Sequence, residues 1–375
     1  MKKIVAALTI SALLTFSVSA ETKKTTANQI ELSLSNETLN FVSEHNIDLK
    51  KLSINSKTKE LFSKNKISSS AYIEDSIKAI KDEAEVYNFT TEQIQNYINA
   101  TLSSTPIIAR SKADAEREAL NNPVATFDYY ADNRVDDGIG WEVKSLPQFS
   151  KATTFVNLPT VLNKVDGTAP YMFYTVSTDN NRGWAMDIGV GYENGDTGVK
   201  WRGFYLTSQP KNESNSAEKV KDEMVYDQVG SVDSNYVYFI AELLDGSNTG
   251  YLNFKVLNGN NFNVIYYNLM YYVGDKGLFN TNTSFNKQIT LCNPLKQFNT
   301  GVKILNARFS QSYLYSTPNN TNSLMLPSNC EDGEIINNKK EPNRCGKFGT
   351  DKTNVEQVTQ NSSTKWYSEN ISISF

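Results

Sequence analysis

Histidine is nearly absent from this sequence: His45 is the single imidazole among 375 residues. That excludes a zinc centre built on several histidines and an iron centre of two histidines and a carboxylate. Cysteine is scarce too. All three (Cys292, Cys330 and Cys345) lie in the opposite half of the chain from His45, which argues against a thiol nucleophile with a histidine base. A strong excess of one charge is also missing. Lys and Arg number 37 against 41 Asp and Glu, a net −4, so nothing draws the whole chain toward nucleic acid or an anionic membrane. The GxSxG, GxxxxGK[ST] and HExxH patterns do not occur, and no cofactor is expected.

Glycine and tryptophan are absent from 21–137: all 19 glycines fall at or after Gly138 and all 4 tryptophans at or after Trp141. This divides the chain. Residues 1–20 have a Met1-Lys2-Lys3 start, an apolar stretch from Ile4 to Val18 and a small-x-small ending at Ser19-Ala20, the pattern of a cleavable export signal. The expected location is the periplasm or the cell exterior, and the two-lysine start has a bacterial style. Past residue 20 no apolar run is long enough to span a membrane. Residues 21–30 read as a flexible tether, 31–122 as a helical region and 123–375 as a β-rich domain with a sub-boundary near 295.

The helical signals are local. Ile73, Ile77, Ile80, Ala84 and Tyr87 recur on one helix face. Thr90 and Gln93 can form a capping box, with Phe89 and Ile94 flanking it as a hydrophobic staple, before a stripe of Tyr97, Ile98 and Leu102. Shorter helices are predicted around 36–45, 56–65 and 112–121. Beyond 124 the period changes to two. Met186, Ile188, Val190 and Tyr192 alternate with Asp187, Gly189 and Gly191, and Trp201, Gly203 and Tyr205 alternate with Arg202 and Phe204, which predicts a hairpin closed at Asn194-Gly195 or Gly195-Asp196. A meander follows at Tyr236–Leu244, Tyr251–Leu257 and Phe262–Val273, with further strands at 171–177, 284–291, 302–309 and 370–375. The expected fold class is α+β: a small helical region followed by a mostly antiparallel β-sandwich or jelly roll.

Candidate chemistry is thin. Asp132, Asp136 and Asp137 form the nearest thing to a calcium loop, but Arg134 stands where an oxygen ligand is wanted, and an acidic turn is the plainer reading. Cys330 and Cys345 flank a polar loop and are expected to form a disulfide worth about 3 kcal/mol, with Cys292 a buried thiol; other pairings stay open. Asp187 on the hairpin and Glu242 in an apolar strand could serve as base and acid of a glycoside hydrolase, or could be ordinary sheet residues, Asp187 pairing across the strand with Arg202 or Lys200. The aromatic content (20 Tyr, 18 Phe) suggests stacking surfaces for sugars, with Tyr266, Tyr267, Tyr271 and Tyr272 the best candidates because consecutive strand residues point to both faces.

Val302-Lys303-Ile304-Leu305-Asn306-Ala307-Arg308, the Tyr313-Leu314 pair, Val355-Glu356-Gln357 and Trp366 together resemble one repeat of a ricin-type β-trefoil lectin over 302–367. Thr364 stands where that family has glutamine, no second repeat is present, and no sugar-binding residue is carried over. The resemblance implies a lectin-like role. The alternating Tyr367, Ile371, Ile373 and Phe375 suit a final edge strand of the sandwich. The expectation is therefore an exported bacterial protein that recognises a glycan or another surface ligand without catalysis. Its rivals are a carboxylate- or tyrosine-dependent glycoside hydrolase or polysaccharide lyase, and a secreted toxin or virulence factor with a helical pro- or docking segment.

Overall fold

The computed structural model describes residues 34–121 and most of 138–374. The export signal, the tether, the acidic turn at Asp132, Asp136 and Asp137, Trp184 and Cys330 lie outside the described residues, so neither a calcium loop nor the Cys330–Cys345 bridge can be placed; no disulfide is present among the described residues.

Helices α1 (Asn36–Glu44), α2 (Ser56–Lys64), α3 (Ser69–Tyr87), α4 (Thr91–Ser103) and α5 (Lys112–Asn121) fall where the sequence predicts them. Four of them start on a side-chain oxygen that accepts an otherwise unpaired backbone N–H: Ser35 from Thr38, Asn55 from Thr58, Ser68 from Ala71 and Thr90 from Gln93. The Thr90–Gln93 capping box is formed in both directions. Asn88, left-handed at φ 54°, ends α3.

The strands, in chain order, are β1 (Ile107–Arg110), β2 (Gly138–Lys144), β3 (Lys151–Asn157), β4 (Thr160–Leu162), β5 (Ala169–Thr178) and β6 (Ala185–Gly195). Then come β7 (Gly198–Ser208), β8 (Glu223–Ser231), β9 (Tyr236–Leu243), β10 (Tyr251–Asn258), β11 (Ile265–Tyr272), β12 (Thr283–Cys292) and β13 (Lys303–Ser316). The last are β14 (Thr321–Leu324), β15 (Ile335–Ile336), β16 (Lys339–Lys340), β17 (Cys345–Phe348), β18 (Val355–Ser363) and β19 (Trp366–Ser374). Ten strands make the larger sheet, in the order β1-β11-β10-β9-β3-β13-β19-β18 with β4 and β14 also on β13, and seven make the smaller one, β17-β2-β12-β5-β6-β7-β8. β15 and β16 form a separate hairpin. All pairings are antiparallel except β1 with β11. The trefoil-like stretch runs from β13 into the start of β19; β13, β18 and β19 are neighbours in the larger sheet, but β17 between them in sequence belongs to the smaller one.

The two sheets face each other across an apolar core that includes Val143, Tyr174, Ile188, Phe239, Phe254, Phe285 and Ile371. Gly203 on β7 lets them approach: a methyl group there would stand 2.3 Å from the Tyr267 ring of the other sheet. The opposite face of the larger sheet is covered by the helices, where Ile73, Ile77, Tyr97 and Ile98 share one buried cluster with Tyr238, Ile240 and Met270. The helical region thus buries its apolar stripes on the sheet. The β6–β7 hairpin pairs Gly195 with Gly198, so its connecting residues are 196–197 and not either predicted turn. Each residue's cross-strand partner shifts by an even number of positions, which leaves each side chain on its expected face. Trp201 is buried in the core and Tyr205 packs against it, as the alternation required.

One ion pair crosses the dry space between the sheets. Lys287 of β12 meets Glu369 of β19 at 2.6 Å, both side chains fully buried. Trp141 Nε1 donates to the same carboxylate at 3.3 Å, and Lys287 also donates to Ser312 at 3.1 Å. Burial holds the Lys287 ammonium below the ordinary lysine range, while Glu369 pulls it upward. Removing one partner strands a buried charge, so Glu369→Gln is expected to cost about 3–5 kcal/mol in urea unfolding. Joint replacement, Lys287→Met with Glu369→Leu, is expected to recover most of that loss in the same measurement.

Candidate active site

Strand alternation decides which polar groups can do chemistry. On β2, Ile139, Trp141 and Val143 enter the core, so Glu142 projects from the outer face of the smaller sheet. On β12 the same logic turns Asn286 and Gln288 outward, and on β5 and β6 it does so for Thr175 and Asp187. Register brings them into one row. Gln288 lies directly opposite Glu142, Asn286 opposite Thr175, and Thr175 opposite Asp187. Asn286 Nδ2 donates to Glu142 at 2.6 Å, and Gln288 Nε2 donates to Thr175 Oγ1 at 2.8 Å. The Thr175 hydroxyl in turn donates to Asp187 at 2.5 Å. Glu142, Gln288, Thr175 and Asp187 are half-buried, which leaves them within reach of a ligand. This row pairs a carboxylate with a carboxamide, each oriented by a neighbour.

A second polar cluster occupies the helix side of the larger sheet. Glu83 of α3, fully buried, accepts from Lys151 of β3 at 3.2 Å, from Tyr97 at 3.1 Å and from Tyr238 at 2.9 Å. Glu242 on β9 is Lys151's partner in register. Burial raises the Glu242 carboxyl above the ordinary range against the pull of Lys151 and Lys255, and burial raises Asp82 of α3 likewise. A cavity of about 540 Å³ opens beside this cluster, lined by Asp82, Lys151, Glu242, Tyr315 and Ser316 among others.

Asp187 and Glu242, cast from sequence as base and acid of one site, are therefore on opposite outer faces of the sandwich. Asp187 projects away from the core of the smaller sheet, and Glu242 projects away from the core of the larger one. With sheets about 10 Å apart between them, they cannot flank one bond. Nor does Asp187 face Lys200 or Arg202 in register: its neighbours are Thr175 and Leu206. The tyrosine surface is also absent. Tyr267, Tyr271 and Tyr272 are 3%, 3% and 4% exposed, and Tyr266 is half-buried and hydrogen-bonded to Asn258. The two-faced alternation was read correctly, but both faces of that sheet are covered. Cys292 is half-buried at the end of β12. Among the described residues no three acidic, histidine or cysteine side chains gather to hold a metal, and no helix is long and apolar enough to cross a membrane.

No family model matches the chain, and no curated protein does. Among solved structures it is similar to scytalido-glutamic peptidase with a transition-state-analogue inhibitor, at 10% identity and TM-score 0.36, covering 64% of this chain and 98% of that one. It is also similar to SCP-B, a member of the eqolisin family of peptidases in a complex with the tripeptide Ala-Ile-His, at 10% identity, TM-score 0.30 and the same coverage of 64% and 98%. Likenesses this distant assign no activity. The expected glycan-binding surface is overturned by the burial of its tyrosines, and the expected two-carboxylate glycosidase by the placement of Asp187 and Glu242 on opposite outer faces.

Sequence reasoning missed Glu142, Asn286 and Gln288. Their outward position was readable from strand alternation, but the register that joins them was not.

A carboxyl whose folded pKa stands above its unfolded value favours the fold at low pH and costs stability as pH rises through that range. Glu242→Gln is accordingly expected to raise the melting temperature at pH 8, with the gain vanishing as pH falls below the ordinary carboxyl range. Thermal melts at several pH values check this, and a constant or negative difference would contradict the burial penalty assigned to Glu242.

Proposed function

We propose that this chain is an exported hydrolase of amide bonds, working from the outer face of the smaller sheet. The observation that carries the reading is the in-register opposition of Glu142 and Gln288, each held by a neighbouring hydrogen bond. Amide hydrolysis needs a base for water, a donor for the developing oxyanion and an acid for the leaving amine. Glu142 takes a proton from water as its oxygen adds to the carbonyl carbon. Gln288 uses one amide hydrogen on Thr175 and has a second to offer the oxyanion. When the tetrahedral intermediate collapses, the C–N bond breaks and protonated Glu142 returns its proton to the leaving nitrogen. The Thr175–Asp187 hydrogen bond fixes the hydroxyl that orients Gln288. Histidine, cysteine and metal are not required, which suits a chain with one imidazole, located at the end of α1. The N-terminal signal pattern supports delivery outside the cytoplasm.

The test is cleavage of a denatured protein and of a mixed peptide library by the purified full chain between pH 3 and 8. Glu142→Gln and Gln288→Ala are each expected to slow turnover by about 100-fold or more with the circular dichroism spectrum unchanged. Asp187→Asn is expected to have a smaller effect, because it acts through Thr175. A folded sample that cleaves nothing, or a Glu142→Gln variant with full activity, sinks the reading.

A further inference from the structure

Asn286, Gln288 and Thr290 of β12 stand in one line on the outer face of the smaller sheet, because Phe285, Ile289 and Leu291 between and beside them enter the core. Gln288, the middle one, lies opposite Glu142. Its two neighbours share a property. Asn286 and Thr290 are each 4% exposed, and among the described residues Asn286 Oδ1 and Thr290 Oγ1 have no hydrogen-bond partner. For Thr290 the register gives the reason. It lies opposite Gly140, which has no side chain to offer, and opposite Tyr171, whose hydroxyl donates to Glu193 at 3.1 Å. For Asn286 the amide nitrogen is committed to Glu142 at 2.6 Å, and the oxygen is left over. Unpaired buried polar atoms are costly, so a pair of them flanking Gln288 marks places for a ligand's own polar groups.

We infer that this face takes an extended polypeptide segment of four residues or more, its main chain lying along β12 from Asn286 to Thr290 and a large apolar side chain resting against Phe173. The inference rests on the hydrolase reading above and names its substrate class. Spacing gives the form of the ligand: alternate strand residues repeat at about 6.7 Å, so the three side chains cover about 13 Å, the span of four extended residues. Polarity gives its main-chain groups. Asn286 Oδ1 can only accept, which suits a peptide N–H, and the Thr290 hydroxyl can donate to a peptide carbonyl. A folded protein, whose main-chain groups are already paired internally, has neither to give. The apolar preference comes from β5, where Phe173 lies opposite Gln288 and Tyr171 opposite Thr290. Both join Phe204 of β7 in an apolar cluster on this same outer face, with ring centroids 5.8 and 5.1 Å from Phe204. Gly189, which lies opposite both Phe173 and Phe204, makes room for them: a methyl group there would stand 2.4 Å from Phe173 Cβ.

The experiment presents the full chain with blocked peptides of two and six residues that share one central amide bond, made with phenylalanine or with serine beside it. kcat/KM is expected to rise about tenfold or more from two residues to six, and to fall about tenfold from phenylalanine to serine. Thr290→Val keeps the side chain's shape and removes the unpaired hydroxyl. It is expected to lower kcat/KM about fivefold on the six-residue substrate and to leave the two-residue substrate unchanged. Its melting temperature should not fall, whereas loss of a hydroxyl with a purely structural role would lower it. Binding is read separately from turnover. Glu142→Gln should bind the six-residue phenylalanine peptide saturably in calorimetric titration, and the double variant Glu142→Gln, Thr290→Val about fivefold more weakly. Such binding with no cleavage by the parent sinks the hydrolase reading and leaves the peptide site standing. Equal kcat/KM for two and six residues, equal rates for phenylalanine and serine, or unchanged affinity on removal of the Thr290 hydroxyl overturns the inference while leaving the hydrolase reading intact.

Discussion

The larger sheet has to bury both of its faces, and most of the molecule follows from that constraint. One face packs on the smaller sheet and the other on α1 to α4, so β9, β10 and β11 carry large side chains in both directions. Polar residues that remain on the helix side must find partners in a dry environment. Asn253 donates to Asn268 at 3.0 Å, and Lys151 meets Glu83, which also receives the hydroxyls of Tyr97 and Tyr238. Glu83 thereby joins α3, α4, β3 and β9 at one point. Tyr87, one turn further along α3, reaches Thr153 at 2.7 Å and donates to the Gln311 carbonyl at 2.7 Å, a second polar anchor between helix and sheet.

Buried ion pairs such as Lys151–Glu83 and Lys287–Glu369 add little net stability, because desolvation offsets their attraction. Their value here is geometric. The carboxyls and ammoniums must meet or remain unpaired at high cost, which fixes helix to sheet in one case and sheet to sheet in the other. The outer row on the smaller sheet differs. Its members are half-buried, so their hydrogen bonds orient them without sealing them from a substrate. Chemistry is more plausible where polar groups are held but reachable than where they are held and enclosed.

Helices were readable because their signals are local: the capping box at Thr90 and the stripe from Ile73 to Tyr87 specify turns from residues three and four apart. The hairpin strands were readable for the same reason, and even an incorrect turn left the faces right because strand side chains repeat every two residues. The candidate site was far less legible. Glu142 and Gln288 sit on strands distant in sequence, and nothing in either segment states which residue will face which. Asp187 and Glu242 looked alike in sequence, each a carboxyl in an apolar alternation, although one belongs to the smaller sheet and the other to the larger.

Composition and periodicity alone determined the division into a glycine-free helical part and a glycine-bearing β part, the element types, and the shortage of imidazole that excludes any site needing two histidines. Those properties depend on residue type and on spacings of two to four. Only the tertiary structure decided that Tyr267, Tyr271 and Tyr272 are enclosed, that two promising carboxyls stand on opposite sides of a sandwich, and that Glu142 lies opposite Gln288 in register. Each of these depends on strand order and register, which are set by how two sheets and a helical layer pack together.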